Sequence, residues 1–401
     1  MKREKKIFLF LFIIIMFFDE TWGQSYNTAK KGREYMKDEY VNRKHWICKA
    51  LREKGFDHAI LGMPTTLFYL TGISVMPFER YYGLTVDVVN EKYTMIVPAL
   101  DKGCMRYEVT EYVYQDAQGP RECILKSLHG CKKLAVETKY FSIEIGNIFR
   151  EICDQVENIG NCIDRMRMKK TAQEIEAMQT AADIVDDTLQ HMKTWVQPGM
   201  TEKEINMEMF SYMANIPGVN SEEKIILVQG GKNSANPHGI SGDYQVKKGD
   251  ILLLDFCAYY KNYWSDITRC FFMGTELNPK LEEIYEIVKR ANLEAISKVH
   301  PGISASEIDR TARKVITDAG YGEYFLHRTG HGLGLSVHEE PFITEVNDLV
   351  LEEGMTFTIE PGIYLDGIGG VRIEDDILVT KDGCRVLTKS SKCLKDYIIP
   401  C

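Results

Sequence analysis

From Asp38 to Lys54 apolar residues recur at helical spacing, and Gly55 stands where a helix would stop. Short β-rich runs follow at His58–Leu61, Tyr81–Val89, Tyr93–Val97 and Leu134–Glu137, with Asn90-Glu91-Lys92 as a hairpin turn between two of them. A second helix is predicted over Ile143–Val156. Strands alternating with helices in this way predict an α/β N-terminal domain.

A boundary is expected near Cys162–Lys170. Thr171 followed by Glu174 makes a capping box, and Ile175, Met178, Ala182, Val185, Leu189 and Met192 then recur at helical spacing until Pro198-Gly199. Pro198-Gly199-Met200-Thr201-Glu202-Lys203-Glu204-Ile205 returns as Pro301-Gly302-Ile303-Ser304-Ala305-Ser306-Glu307-Ile308, an offset of 103 residues. Helix stop, capping hydroxyl, capping Glu and first apolar residue all keep register. After the first copy come a helix, a run at Lys224–Val228, a loop at Asn236-Pro237-His238 and strands at Ile251–Tyr259 and Thr268–Met273. After the second come a helix, a His-rich loop at 327–338 and strands at Met355–Glu360 and Gly370–Val379. Two helices and an antiparallel β-section in each half predict an α+β domain with an internal pseudo-twofold duplication. The expected organisation is therefore 1–35 leader, 36–164 N-terminal domain and 165–401 duplicated domain.

Composition changes this picture little. With 44% hydrophobic and 27% charged positions in 401 residues, the chain is globular and long enough for two cores. Its net charge of −9 argues against nucleic acid or an anionic membrane as the main partner. Eleven cysteines with no CxxC pair suggest reduced, mostly buried thiols. The apolar run Ile7–Phe18 is too short to span a bilayer as a helix. Preceded by Lys2, Arg3, Lys5 and Lys6, it has the layout of a secretory signal. Lys31-Gly32-Arg33-Glu34-Tyr35 ahead of Met36 can instead be back-translated into a ribosome-binding sequence before an ATG. That reading makes residues 1–35 a translated leader and is preferred. The expected compartment is the cytoplasm, with secretion the alternative if residues 1–23 are a signal peptide.

The chemistry lies in acidic residues placed on strands, where desolvated carboxylates are costly unless compensated. Asp255 ends Ile251-Leu252-Leu253-Leu254, and Asp266 begins the next run. Glu360 ends Thr356-Phe357-Thr358-Ile359, and Glu374 lies between Val371-Arg372-Ile373 and Ile377-Leu378-Val379. Offsets of 105 and 108 residues make these two pairs equivalent within the repeat. Four inward carboxylates call for compensating positive charge, which two divalent cations supply. His331, flanked by Gly330 and Gly332, is the natural fifth ligand. Such an oxygen-rich donor set suits manganese, iron or cobalt better than a structural zinc. Any one of these residues alone would read as an ion-pair partner or turn residue; five at matched spacing do not. His238 and His338 become candidates for holding a reacting carbonyl because the cluster exists.

Ser265-Asp266-Ile267-Thr268-Arg269, His327-Arg328-Thr329-Gly330-His331-Gly332-Leu333-Gly334 with His338-Glu339 and Pro341, Ile359-Glu360-Pro361-Gly362 and Arg372-Ile373-Glu374-Asp375 together resemble the pita-bread metallopeptidases, the group of prolidase, aminopeptidase P and creatinase. Phe68-Tyr69-Leu70-Thr71-Gly72 resembles the N-terminal domain of that family. The chain departs from the pattern at Cys257 and Asn262, where the family usually has glycine.

The resemblance implies a dinuclear site, usually two Mn²⁺ with Co²⁺, Fe²⁺ or Zn²⁺ as alternatives, held by Asp255, Asp266, His331, Glu360 and Glu374. It implies a homodimer and hydrolysis of the bond preceding proline in small peptides. A dipeptidase is preferred over an aminopeptidase acting on longer peptides, with a non-peptidase hydrolase or lyase of small amides on the same scaffold as a further alternative. Glu360 is expected to move the proton, His238 and His338 to stabilise the oxyanion or hold substrate, and Arg372 to orient a carboxylate.

Overall fold

The structure is a computed structural model that describes residues 38–103, 109–221 and 223–400. The expected leader lies outside the described residues. The chain divides into two compact units between Ile163 and Asp164.

The first unit opens on helix α1 (residues 38–53), which buries Tyr40, Ile47, Cys48 and Leu51. A six-stranded sheet follows: β1 (His58–Leu61), β2 (Gly83–Asp87), β3 (Lys92–Pro98), β4 (Val109–Tyr114), β5 (Lys133–Val136) and β6 (Gln155–Asn158), in spatial order β4-β3-β2-β1-β5-β6. Helices α2 (Pro64–Thr71), α3 (Arg121–Ser127) and α4 (Ile143–Ile152) connect them. The helix expected over Ile143–Val156 ends at Ile152, because Cys153 is extended (φ −133°, ψ 125°) and Gln155–Asn158 joins the sheet as a polar edge strand. Helix α2 was not anticipated. Five of its eight residues are buried, so it presents no amphipathic stripe to find.

The division between the units falls within α5 (Cys162–Met168). In the second unit both capping boxes form, opening α6 (Ala172–Trp195) and α7 (Glu202–Ala214). Strands β7 (Ile226–Gly230), β8 (Ile251–Tyr260) and β9 (Tyr263–Met273) complete the first half-repeat. The second half begins with α8 (Pro279–Lys298) and α9 (Ala305–Asp318), the latter capped by Ser304. Its strands are β10 (Gly330–Gly332), β11 (Glu339–Ile343), β12 (Thr356–Ile359), β13 (Gly362–Leu365), β14 (Gly369–Arg372), β15 (Asp375–Thr380) and β16 (Gly383–Val386), and β17 (Ile398–Ile399) returns to pair with β9.

Alternation along β8 divides the core. Leu252, Leu254 and Phe256 pack with α6 and α7, whereas Ile251 and Leu253 join the cluster formed by α8, α9 and the second half's strands. Asp255 and Cys257 continue the second of these faces.

Two further expectations need correction. The strand predicted at Gly370–Val379 is two strands in two sheets, β14 pairing with β13 and β15 with β12, and Glu374 sits in the break. The expected His-rich loop contains β10, so His331 is held by a strand between β11 and β12 rather than by a free loop. The turn joining β8 to β9 has positive φ at Lys261 (47°) and Asn262 (68°). Asn tolerates that conformation, so the absence of the family's glycine leaves the hairpin intact. Among the described residues no helix is long and apolar enough to cross a membrane.

Candidate metal centre

Strands β8 and β9 pair with Asp255 opposite Thr268 and Cys257 opposite Asp266. Opposed residues share a face, so the two aspartates are diagonal neighbours on one side of the hairpin. In the second half Ile359 pairs with Asp375, and Glu360 and Glu374 each lie one residue beyond that pair. An isolated antiparallel bridge between Thr268 and Glu374 joins the halves. All eight residues expected from the sequence (Asp255, Asp266, His331, Glu360, Glu374, His238, His338 and Arg372) line one cavity of about 590 Å³.

Asp266, His331 and Glu374 are buried, and each offers a donor atom within 4.8 Å of the others. His331 Nδ1 lies 3.1 Å from the Gly332 carbonyl, which can only accept, so Nδ1 carries the hydrogen. The bare Nε2 then faces Glu360 Oε1 at 3.2 Å and Asp266 Oδ2 at 4.0 Å. Burial, reinforced by His338, pushes the His331 pKa down and keeps the ring neutral. Burial, then the neighbouring Asp255, Asp376 and Glu360, pushes Asp266 well up. Burial, then Asp266, Glu360 and Asp255, does the same to Glu374. Glu360 is raised to about 7, by burial against the opposing pull of Arg372. Asp266 Oδ1 and Glu374 Oε1 are buried and receive no hydrogen bond. A bare ring nitrogen facing carboxyl groups, with two buried carboxyl oxygens that have no hydrogen-bond partner, is a cluster of lone-pair donors whose ionisation lacks a compensating charge. Divalent cations fit it.

The surroundings fix these ligand candidates. Arg372 Nη1 donates to the Tyr364 hydroxyl (2.7 Å), Nε to Thr268 Oγ1 (3.1 Å) and Nη2 to the Asp255 carboxylate. Tyr364 in turn donates to His327 Nε2 at 2.8 Å, since His327 Nδ1 donates to the Arg328 carbonyl (2.8 Å). Burial holds His327 down at about 3, with Arg372 acting the same way. Asp376 accepts from Ser265 Oγ (2.6 Å) and the Asp266 amide, anchoring the strand at Asp266. Arg269, fully buried, donates to the Glu374 carbonyl (2.6 Å) and Asp375 Oδ1 (2.7 Å).

His338 packs edge-on against His331, ring centroids 4.2 Å apart, and both His338 and His238 are exposed. Glu339 is buried between Lys170 Nζ (2.8 Å) and Arg167 Nη2 (2.5 Å) and also accepts from the Ser336 amide (3.2 Å). Sequence reasoning gave no role to Thr268, His327, Tyr364, Glu339, Arg167 or Lys170. Thr268, His327 and Glu339 lay inside the motifs, and Tyr364 stands between Glu360 and Arg372 just outside them; Arg167 and Lys170 become visible only once distant segments are in contact.

The model of the Creatinase/Prolidase N-terminal domain matches residues 45–169, and that of metallopeptidase family M24 matches residues 176–381. The chain is 37% identical over 363 residues to the Xaa-Pro dipeptidase of Lactobacillus helveticus, covering 87% of this chain and 97% of that one. Its fold superposes on the prolidase structure from Pyrococcus horikoshii with a TM-score of 0.81 at 33% identity, covering 88% of this chain and 99% of the other. It also resembles the X-Pro aminopeptidase structure from Thermotoga maritima, with TM-score 0.78, 28% identity and coverage of 89% and 99%.

Proposed function

The chain belongs to metallopeptidase family M24, and on that premise we propose that it is an Xaa-Pro dipeptidase. In this reading it hydrolyses the peptide bond preceding proline, with two divalent cations, Mn²⁺ foremost, held by Asp255, Asp266, His331, Glu360 and Glu374. The observation that carries it is the bare Nε2 of His331 set among buried carboxylates, two of whose oxygens have no hydrogen-bond partner.

The difficulty of the substrate lies in its tertiary amide, which offers no N–H for a protease to grip. Bound cations supply Lewis acidity that activates water and polarises the scissile carbonyl. The protein does the rest. Glu360 is less enclosed than Asp266, with side-chain exposures of 14% and 7%, and it sits beside the His331 imidazole. It takes up the proton released by water and returns it to the leaving secondary amine. His338 and His238 face the cavity and donate to the oxygen that gains charge, or hold the substrate. Arg372 fixes Asp255 through its guanidinium, and Tyr364 and His327 hold Arg372 in turn.

A second reading, an Xaa-Pro aminopeptidase acting on longer peptides, draws on the likeness to the T. maritima structure. The test measures proline released from an Xaa-Pro dipeptide beside hydrolysis of an Xaa-Pro-Xaa tripeptide, with metal analysis of the same sample. Dipeptide turnover that needs Mn²⁺ and exceeds tripeptide turnover supports the dipeptidase; the reverse ratio supports the aminopeptidase; turnover surviving chelation overturns both. The proposal includes a homodimer, checked by light scattering, and a cytoplasmic enzyme starting at Met36. A mature N-terminus near Gln24 in the native protein overturns that start and favours secretion.

A further inference from the structure

Cys131 and Cys153 stand two residues ahead of β5 and β6, whose parallel register pairs Lys133 with Gln155. Two steps back along both strands preserve the face, which sets position 131 beside position 153. Each is anchored at a helix end. The Cys131 amide donates to the Leu128 carbonyl (3.0 Å) after α3, and the Cys153 amide donates to the Phe149 carbonyl (3.0 Å) as the cap of α4. Both side chains enter one apolar cluster with Ile60, Leu134 and Phe149. Their sulfurs are 3.2 Å apart.

We propose that Cys131 and Cys153 are a modification site: a dithiol that forms an intramolecular disulfide on reaction with a small-molecule disulfide such as oxidised glutathione. One thiolate attacks a sulfur of glutathione disulfide, forming a mixed disulfide and releasing one glutathione. The second attacks the protein sulfur of that mixed disulfide and releases the other. The protein loses two electrons and two protons, and two glutathione thiols gain them.

Asp57 and His58 also approach Cys131, with one donor atom from each within 4.8 Å of the others, which raises a metal as the rival ligand. The Asp57 carboxylate is already committed, however. It accepts from the Lys132 amide (3.1 Å) and the Lys133 amide (3.0 Å) and faces His58 Nδ1 at 2.7 Å. Those bonds fasten the start of β5 and leave the thiol pair as the reactive element. Burial and the adjacent thiol hold the Cys131 pKa well up, so exchange is slow at neutral pH and accelerates as the solution becomes more alkaline.

The test incubates the full-length native protein with graded ratios of oxidised to reduced glutathione at pH 7 and pH 8.5, blocks remaining thiols and maps peptides by mass spectrometry. The expected result is a Cys131–Cys153 cross-linked peptide, formed faster at pH 8.5 through Cys131, which keeps 8% exposure, while Cys48 and Cys270, at 0%, stay alkylatable only after unfolding. Oxidised wild type should melt a few degrees higher than reduced wild type, a shift absent in Cys153→Ser. Three results overturn the proposal: no cross-link at strongly oxidising ratios, glutathione retained on either cysteine, or resistance to oxidation that a chelator removes. Because the mapping uses unmodified wild type, a misfolded variant does not obscure the answer.

Discussion

The Thr268 hydroxyl donates to Glu374 Oε2 at 2.6 Å while the Glu374 amide donates to the Thr268 carbonyl at 3.2 Å. One residue of the first half-repeat thus holds both the side chain and the backbone of a carboxylate from the second. Arg372 Nε also donates to that hydroxyl, so Thr268 links Glu374 to the arginine that grips Asp255. Thr268→Val keeps the shape of the side chain but removes both hydrogen bonds. We expect metal affinity to fall roughly 10–100-fold, the usual cost of losing an outer-shell partner. Titrating metal back into stripped protein, read by calorimetry, checks this; unchanged affinity rejects the linkage.

Glu360 is assigned the proton transfer, and Gln preserves its size while removing that capacity. Glu360→Gln should lower kcat on an Xaa-Pro dipeptide by roughly 10²–10⁴-fold at saturating Mn²⁺, the usual worth of a positioned acid–base group. Because Glu360 is also a proposed ligand, metal content must be measured in the same preparation. A metal-replete variant with near wild-type kcat would remove Glu360 from the chemistry.

Much of this was legible in advance because local chemistry and long-range placement agreed. The capping boxes at Thr171 and Thr201 follow from residues three apart, and both helices begin there. Carboxylates in apolar strands violate strand preference, and Asp255 and Asp266 do converge. Helix α2 and strand β6 escaped for opposite reasons: one is buried on nearly every side, the other is mostly polar and exposed, so neither shows a period. His331 falls in a segment that reads as a His-rich loop but forms a strand, and the close backbone approach expected of its flanking glycines is realised there: a Cβ on Gly330 would meet the Thr358 carbonyl at 1.8 Å, so that glycine lets β10 lie close to β12. Arg167 and Lys170 are remote in sequence from the Glu339 they hold, and no spacing rule announces a contact made only by folding.

Glu339 ties the segment following His338 to Lys170 and Arg167, and its protonation should weaken that tie. Burial alone would raise this carboxyl, but the two cations outweigh it and hold the pKa below 4.5. For a depressed acid, the stabilising contribution is complete above the unfolded-state value and disappears as pH falls through the folded one. Acid unfolding should therefore include a component below pH 4.5 that Glu339→Gln lacks. The same variant should be about 3–5 kcal/mol less stable at pH 7, because Lys170 and Arg167 would be left buried without their anion. Urea titrations of both proteins at pH 4 and pH 7 measure both effects.

Chelation should have the opposite pH signature. Asp266, Glu374 and Glu360 all have raised pKa values, Glu360 reaching about 7 from 4.5. A raised acid contributes stability that is complete below its unfolded value and is lost as pH climbs through the folded one. For Glu360 that window runs from 4.5 to about 7, and the contributions of Asp266 and Glu374 are likewise lost with rising pH. Chelated protein should therefore lose stability progressively from pH 5 to pH 8 as mutually repelling buried carboxylates are forced to ionise. Cations bind the ionised form, so the stabilisation they give, about 2.7 kcal/mol at a hundredfold excess over Kd, should show as a Tm shift that grows with pH. Scanning calorimetry of chelated and Mn²⁺-loaded protein at pH 5, 6.5 and 8 reads it directly. A shift that is flat or shrinks with pH would mean that the acidic cluster is not where the cations sit.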